Sequence, residues 1–137
     1  MSLFNVFDVA GSALQAQSIR LNTTSSNLAN ANSVSSDTGK TYRARQPVFS
    51  PMLKEFDEQG ADVGVQVLGI VESNAPLRRE HSPDHPMADA EGYIYLPNVN
   101  VVEEMANMIS ASRAYQTNVE VMNSAKQMLL RTISIGQ

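Results

Sequence analysis

The residues best suited to chemistry lie in three short stretches. His81 and His85 flank Asp84 in HSPDH. Two imidazoles and a carboxylate form a divalent-metal donor set. Pro83 and Pro86, however, break the helix that ligands four apart usually need, and no fourth donor is evident. A solvated loop is the better reading. Glu103 and Glu104 suggest an acid/base pair. Adjacent helical residues diverge by about 100° of arc, and first-turn carboxylates complement the helix dipole. Capping explains them better. Arg43 and Arg45, beside Tyr42 and Phe49, have the residue types of a nucleic-acid strand. Two arginines in an acidic segment are too few to offset a phosphate backbone. They are expected on an exposed strand face, where Tyr42, Arg43 and Arg45 can make contacts of an outer segment.

No phosphate-binding or dinucleotide glycine loop, zincin helix or nucleophile elbow occurs. The chain has no cysteine, which excludes thiol catalysis and a disulfide frame. Neither a catalytic residue nor a cofactor is expected.

The elements around these stretches are more informative. The chain has 137 residues, 42% apolar and 18% charged, with a net charge of -4. Charged content is below the usual figure of about 25%. The imbalance sits in residues 37–100. Residues 1–36 carry only Asp8 and Arg20, and residues 101–137 are also neutral. A solvated helix is normally laced with charge. The ends therefore read as contact surface, and the middle as the water-facing part. The mild acidity argues against nucleic acid as a partner. No apolar run reaches the 18 or so residues of a membrane span. The N-terminus lacks the basic and apolar regions of a cleaved signal.

Phe7, Leu14, Leu21 and Leu28 stand at strict heptad spacing, with Ala10, Gln17 and Thr24 at weak, small d-like positions. A helix is expected over 5–31, roughly 40 Å long. Asn100-Val101-Val102-Glu103 has the form of a capping box after Pro97. From there Val101, Met105, Met108, Ser112, Tyr115, Val119, Met122, Lys126, Leu129 and Ile133 form one stripe. Asn107, Ala111, Ala114, Asn118, Val121, Ala125, Met128 and Thr132 form a second. Two stripes imply two neighbours for a helix over 101–134, on the order of 50 Å long. Ser112, Asn118 and Asn123 could fix register, and the methionines suit adaptable packing. Between the helices, Tyr42–Phe49, the alternating Val63, Val65, Val67 and Val71, and Tyr93–Leu96 read as strands separated by turns. The fold class is α+β: a segment 1–36, a β-rich middle 37–100 and a segment 101–137. Two terminal helices bury one seam between them. The other stripe then marks an association site.

Ser26-Asn27-Leu28-Ala29-Asn30-Ala31-Asn32-Ser33 resembles the "NNLANANT" signature of bacterial flagellar rod and hook proteins. Pro97–Met105 and Ser112-Arg113-Ala114-Tyr115-Gln116-Thr117-Asn118 resemble the C-terminal helix of that family. Tyr42–Phe49 and the short middle are similar to its proximal-rod branch. The resemblance runs from Met1 to Gln137. It implies a structural subunit whose terminal helices pack as the inner layer of a helical tube. Export would use the flagellar type III apparatus without a cleaved signal. The site would be the basal-body rod across the periplasm, where the rod transmits motor torque. Implied partners are copies of itself, FlgB, FlgF, FlgG and FliE. The expected interface pairs Phe7, Leu14, Leu21 and Leu28 with Met105, Met108, Tyr115, Val119, Met122 and Leu129. Ser112, Asn118, Asn27 and Asn30 would bond across packed subunits. The rival readings are an adaptor or export chaperone, and a small metal-dependent enzyme built on His81, Asp84 and His85.

Overall fold

The structure, a computed structural model, describes residues 3–53 and 63–136. Its elements are α1 (Leu3–Asn30), β1 (Arg45–Leu53), β2 (Val63–Glu72), β3 (Arg78–His81), β4 (Tyr93–Leu96) and α2 (Val101–Ile135). This is the expected α+β arrangement of two long helices around a small strand-rich middle.

α1 has no acid in its first turn and no base in its last. Without such dipole complements of its own, it relies on packing and on groups from other elements. α2 starts where expected. The Asn100 Oδ1 accepts the N–H groups of Val102 (3.1 Å) and Glu103 (3.4 Å). It ends at Gly136, whose N–H reaches the carbonyls of Thr132 and Ile133.

The two helices run antiparallel. Near one end Asn27 meets Glu104, further along Arg20 Nη2 donates to Asn107 Oδ1 (2.9 Å), and Gly11 faces Met122. The buried line between them is made of small residues: Ala10 on α1, and Ala111 and Ala125 on α2, 0% and 1% exposed. This corrects the expected pairing. The second stripe of α2, with Asn107, Ala111 and Ala125, turns toward α1. Met105 (55%) and Tyr115 (39%) of the first stripe are exposed. Met108, Ser112, Asn118, Val119, Met122 and Leu129 are half-buried, as are Phe7, Leu14, Leu21 and Leu28. Backbones that approach closely need small side chains at the centre of the seam, and Met122 enters it where α1 offers only Gly11.

β1 and β2 form an antiparallel hairpin laid along α1. At its far end Ser12 Oγ accepts the Val65 N–H (3.1 Å) and donates to the Val9 carbonyl (2.8 Å). Val65 and Val67 are half-buried as expected, but Val71 is 52% exposed. Pairing jumps from Val48↔Gly69 to Phe49↔Val67, which makes Leu68 an extra residue. Beyond it Ile70 is 53% exposed as well, so this end of β2 buries neither face. β1 starts at Arg45, later than the expected Tyr42, because the Ala44 N–H is held by the side chain of Asn98. The turn expected at Gly60 lies outside the described residues.

β3 pairs with β4 in a second two-stranded sheet. Its RREH sequence has no apolar alternation, all four residues are exposed, and it was not expected. Its partner β4 was, over the same residues.

Candidate subunit interface and the node beneath it

The best-connected polar residue lies in the uncharged end of α1. Asn27 is 1% exposed. Its Nδ2 donates to the Arg45 carbonyl (2.8 Å) and to Glu104 Oε1 (3.0 Å). Its Oδ1 accepts the Arg45 N–H (2.9 Å) and the Tyr42 hydroxyl (2.8 Å). A carboxamide has two N–H donors and two acceptor lone pairs, and here all are used. Toward Arg45 it bonds as a neighbouring strand's peptide group would, pairing with both N–H and C=O. One side chain thus joins α1, the entry to β1 and the first turn of α2.

This corrects the expectations for Asn27, Tyr42 and Glu104. Asn27 makes its bonds within its own chain. Asn30 Nδ2 bonds the Ser26 carbonyl of its own helix (2.8 Å). Asn118 Nδ2 likewise bonds Ala114 (2.9 Å). Tyr42 is half-buried instead of outward-facing: its ring packs on the cluster Ala31, Ala44 and Val99 while its hydroxyl fills the last lone pair of Asn27. Burial raises the Tyr42 hydroxyl above its ordinary pKa; the Arg45 charge opposes that, and Glu104 and Glu72 add to it. Arg43 is half-buried and donates to the Ser73 carbonyl (3.3 Å). Arg45 is exposed but already paired with Glu72 at 3.1 Å, with its guanidinium over the Tyr42 ring. Glu104, read as a first-turn capping residue, is 6% exposed and belongs to the node. Nothing in its local sequence distinguishes it from the exposed Glu103.

A second amide works beside the first. Asn98 Oδ1 accepts the Ala44 N–H (2.8 Å), and its Nδ2 donates to the carbonyls of Ala75 (2.8 Å) and Ser73 (3.3 Å). Arg78 reaches the carbonyls of Pro97 and Ala31, placing a cation at the C-terminal end of α1.

The HSPDH stretch is divided. The His81 ring meets Tyr93 edge-on at 5.0 Å, and His85 Nδ1 accepts the Met87 N–H. Among the described residues, no three His, Asp or Glu side chains are grouped as metal ligands. Nearby, Asp89 takes the N–H groups of Tyr93 (2.8 Å) and Glu91 (2.9 Å) and the Tyr95 hydroxyl (3.2 Å). The Tyr93 bond is the main reason its carboxyl is held below the ordinary range.

Outside the node, α2 keeps two apolar flanks uncovered. Val101, Met105 and Ile109 lie on one, followed by Leu130 and Ile133. Val121, Met128 and Ile135 lie on the other. Their exposure ranges from 40% at Val101 to 85% at Ile135.

The flagellar basal-body rod protein FlgC of Salmonella typhimurium is 51% identical to this chain over the full length of both. The chain belongs to the FlgC family of flagellar basal-body rod proteins. FlgC of Escherichia coli O6:H1 is 52% identical, also over both full lengths. FlgC of Borreliella burgdorferi is 37% identical over all of this chain and 99% of the relative. The model of the flagella basal body rod protein family matches residues 7–35, and that of the flagellar basal body rod FlgEFG protein C-terminal region matches 90–135. Members of the FlgC family are structural proteins of the rod. In this FlgC chain, Asn27 lies in the first matched segment and Asn98 and Glu104 in the second. The node therefore ties the two segments together.

Proposed function

We propose that this FlgC chain is a structural subunit of the proximal rod of the flagellar basal body, and that it acts by assembly and not by catalysis. Copies of itself, FlgB, FlgF, FlgG and FliE cover the exposed flanks of its terminal helices. The subunit reaches its place through the flagellar type III export apparatus, and the assembled shaft passes motor torque outward across the periplasm.

One observation carries this reading: α2 exposes large apolar side chains on two flanks while its seam with α1 is filled. Apolar surface along a helix of about 50 Å marks an association face. Methionines at 105 and 128 suit neighbours that differ slightly in shape. The Asn27 node adds a fixed relation between both helices and the hairpin, as a shaft that carries torque requires.

The test is Ile109→Glu in a strain lacking its own copy. Ile109 is 56% exposed, so the folded chain should tolerate the change. Swimming should be lost and the chain should be missing from purified basal bodies. Normal swimming, together with the same loss at none of Met105→Glu, Met128→Glu and Leu130→Glu, would overturn the reading.

A further inference from the structure

The β1–β2 hairpin crosses α1 diagonally. At one corner Asn27 takes both main-chain groups of Arg45 on the outer edge of β1. At the opposite corner Ser12 Oγ accepts the Val65 N–H on the outer edge of β2. The remaining two corners are uncovered, and they differ in chemistry. On β1, Pro47 and Pro51 stand at alternate positions from Arg45, facing the same outer edge, and bring no N–H to it. Strand addition there is blocked.

The uncovered corner of β2 is open. Arg45 pairs with Glu72 but turns its own N–H and C=O to Asn27, so this pair exchanges no ladder bonds. Glu72 therefore faces its main-chain groups away from β1, and so does Ile70, two residues back. The next residue agrees: the Ser73 N–H turns inward to the Ala44 carbonyl (2.8 Å). Among the described residues, no group takes the outward N–H and C=O of Ile70 and Glu72. Leu68, Ile70 and Val71 are exposed around them, and a Cβ at Gly69 meets nothing within 4 Å. The one nearby charge, Glu72, is held by Arg45. An apolar strand edge with free main-chain groups is a template for another strand.

We infer that the β2 edge at Ile70–Glu72 pairs with the same edge of a second copy, antiparallel about a two-fold axis at Val71. Ile70 of each copy then exchanges N–H and C=O bonds with Glu72 of the other, which uses all the outward groups of both residues. The other described strands of a second copy do not fit. β1 is closed by its prolines, and the outer edge of β4 is bridged to Ser35. β3 is RREH, with no apolar side chain to cover Leu68 and Ile70. A contact of like with like closes on itself. The joined sheet carries β1 at both outer edges, and its prolines stop further growth at the pair. One short strand edge buries less than the roughly 1,600 Å² of a standard interface, so the pair is weak and reversible. Its two copies run in opposite directions along their strands. The pair is thus a resting form of the free chain, distinct from any head-to-tail array, and it stands whether or not the rod reading does.

Hydrogen exchange on the purified full-length chain tests the contact. As protein concentration rises, the Ile70 and Glu72 amides should slow by about tenfold, while the Val71 amide, turned to β1, keeps its rate. Rates at Ile70 and Glu72 that ignore concentration overturn the inference. Cross-linking gives a second measure. The chain has no cysteine, so Val71→Cys places a single thiol on the two-fold axis. Facing residues of a non-hydrogen-bonded pair stand about 4.5 Å apart at Cα, within disulfide reach. Copper-phenanthroline should link Val71→Cys into a dimer that is lost on reduction and declines on dilution. Gln46→Cys, exposed beside Val71 on β1, and Ser18→Cys, exposed on α1, should not link. Ile70→Pro removes an outward N–H and no bond of the hairpin, and added to Val71→Cys it should abolish the dimer. A dimer of equal yield in the controls, or one that survives Ile70→Pro, overturns the pairing.

Discussion

Asn27 and Glu104 stand 77 residues apart in the chain and share a buried hydrogen bond of 3.0 Å from Nδ2 to Oε1. The bond links the end of the first helix to the start of the last. Because Asn27 also holds Arg45 and Tyr42, its removal orphans several buried groups at once. Asn27→Ala should destabilise the chain by about 3 kcal/mol, the scale of leaving buried polar groups unpaired. Asn27→Asp should be at least as costly at neutral pH, because it sets a carboxylate against Glu104. Urea denaturation at matched protein concentration measures both. A loss below about 0.5 kcal/mol, the range of ordinary surface changes, would show the node to be dispensable.

Gly92 has φ 81°, and a Cβ there would sit 3.2 Å from both His81 Nε2 and Pro83 Cβ. Gly92→Ala should therefore cost about 1–2 kcal/mol, from left-handed strain and from displacing the loop between β3 and β4. At Gly69 a Cβ meets nothing within 4 Å, so Gly69→Ala is the comparison and should change stability little. Equal melting temperatures for the two variants would contradict this.

The acid side of the stability profile should involve Asp89. Its folded pKa is lowered from 3.8, chiefly by the Tyr93 N–H. Its contribution is present above the unfolded value and is lost as pH falls through the lower folded one. Asp89→Asn should flatten stability against pH in that acid window and leave the neutral range unchanged; because Asp89 also raises Tyr95, the alkaline limb should shift with it. Denaturant midpoints at a series of pH values decide it.

Tyr42 has the opposite sign. Burial raises its pKa above 10.0, so its contribution is full below the unfolded value and lost as pH rises through the folded one. A phenolate can no longer donate to Asn27 Oδ1. Spectrophotometric titration should show two tyrosines ionising late, and Tyr42→Phe should remove one of them. Tyr95 is also raised, by its bond to Asp89, and Tyr95→Phe identifies its share.

Gln17 offers a stabilising change. Its Oε1 is buried with no hydrogen-bond partner. Gln17→Leu keeps the size and removes the unsatisfied acceptor, and should add about 1 kcal/mol to the stability of the isolated chain. A lower denaturation midpoint would show that the amide contributes through its N–H groups.

Both helices, β2 and β4 were legible in the sequence because each carries its own period. The capping asparagine at 100, the heptad leucines and the alternating valines are local signals. Packing was less legible. A stripe of Met, Tyr and Val looks like the natural seam, yet Ala111 and Ala125 lie at its centre, because close approach of two backbones favours small residues over large ones. The bulge at Leu68 left no mark in the sequence, and beyond it both Ile70 and Val71 are exposed. β3 owes its existence to β4, since RREH has no strand pattern. Glu104 could not be told from Glu103 because its burial depends on Asn27, far away in the chain. The node was hidden for the same reason: its signature asparagine was visible, but not what it touched.

The alanine seam has a mechanical side. Two helices meeting through alanines present a shallowly corrugated track, interrupted where Met122 packs against Gly11. The pairs Asn27–Glu104 and Arg20–Asn107 act as detents that select one axial position. The axial register of the two helices therefore rests on a few polar contacts near one end.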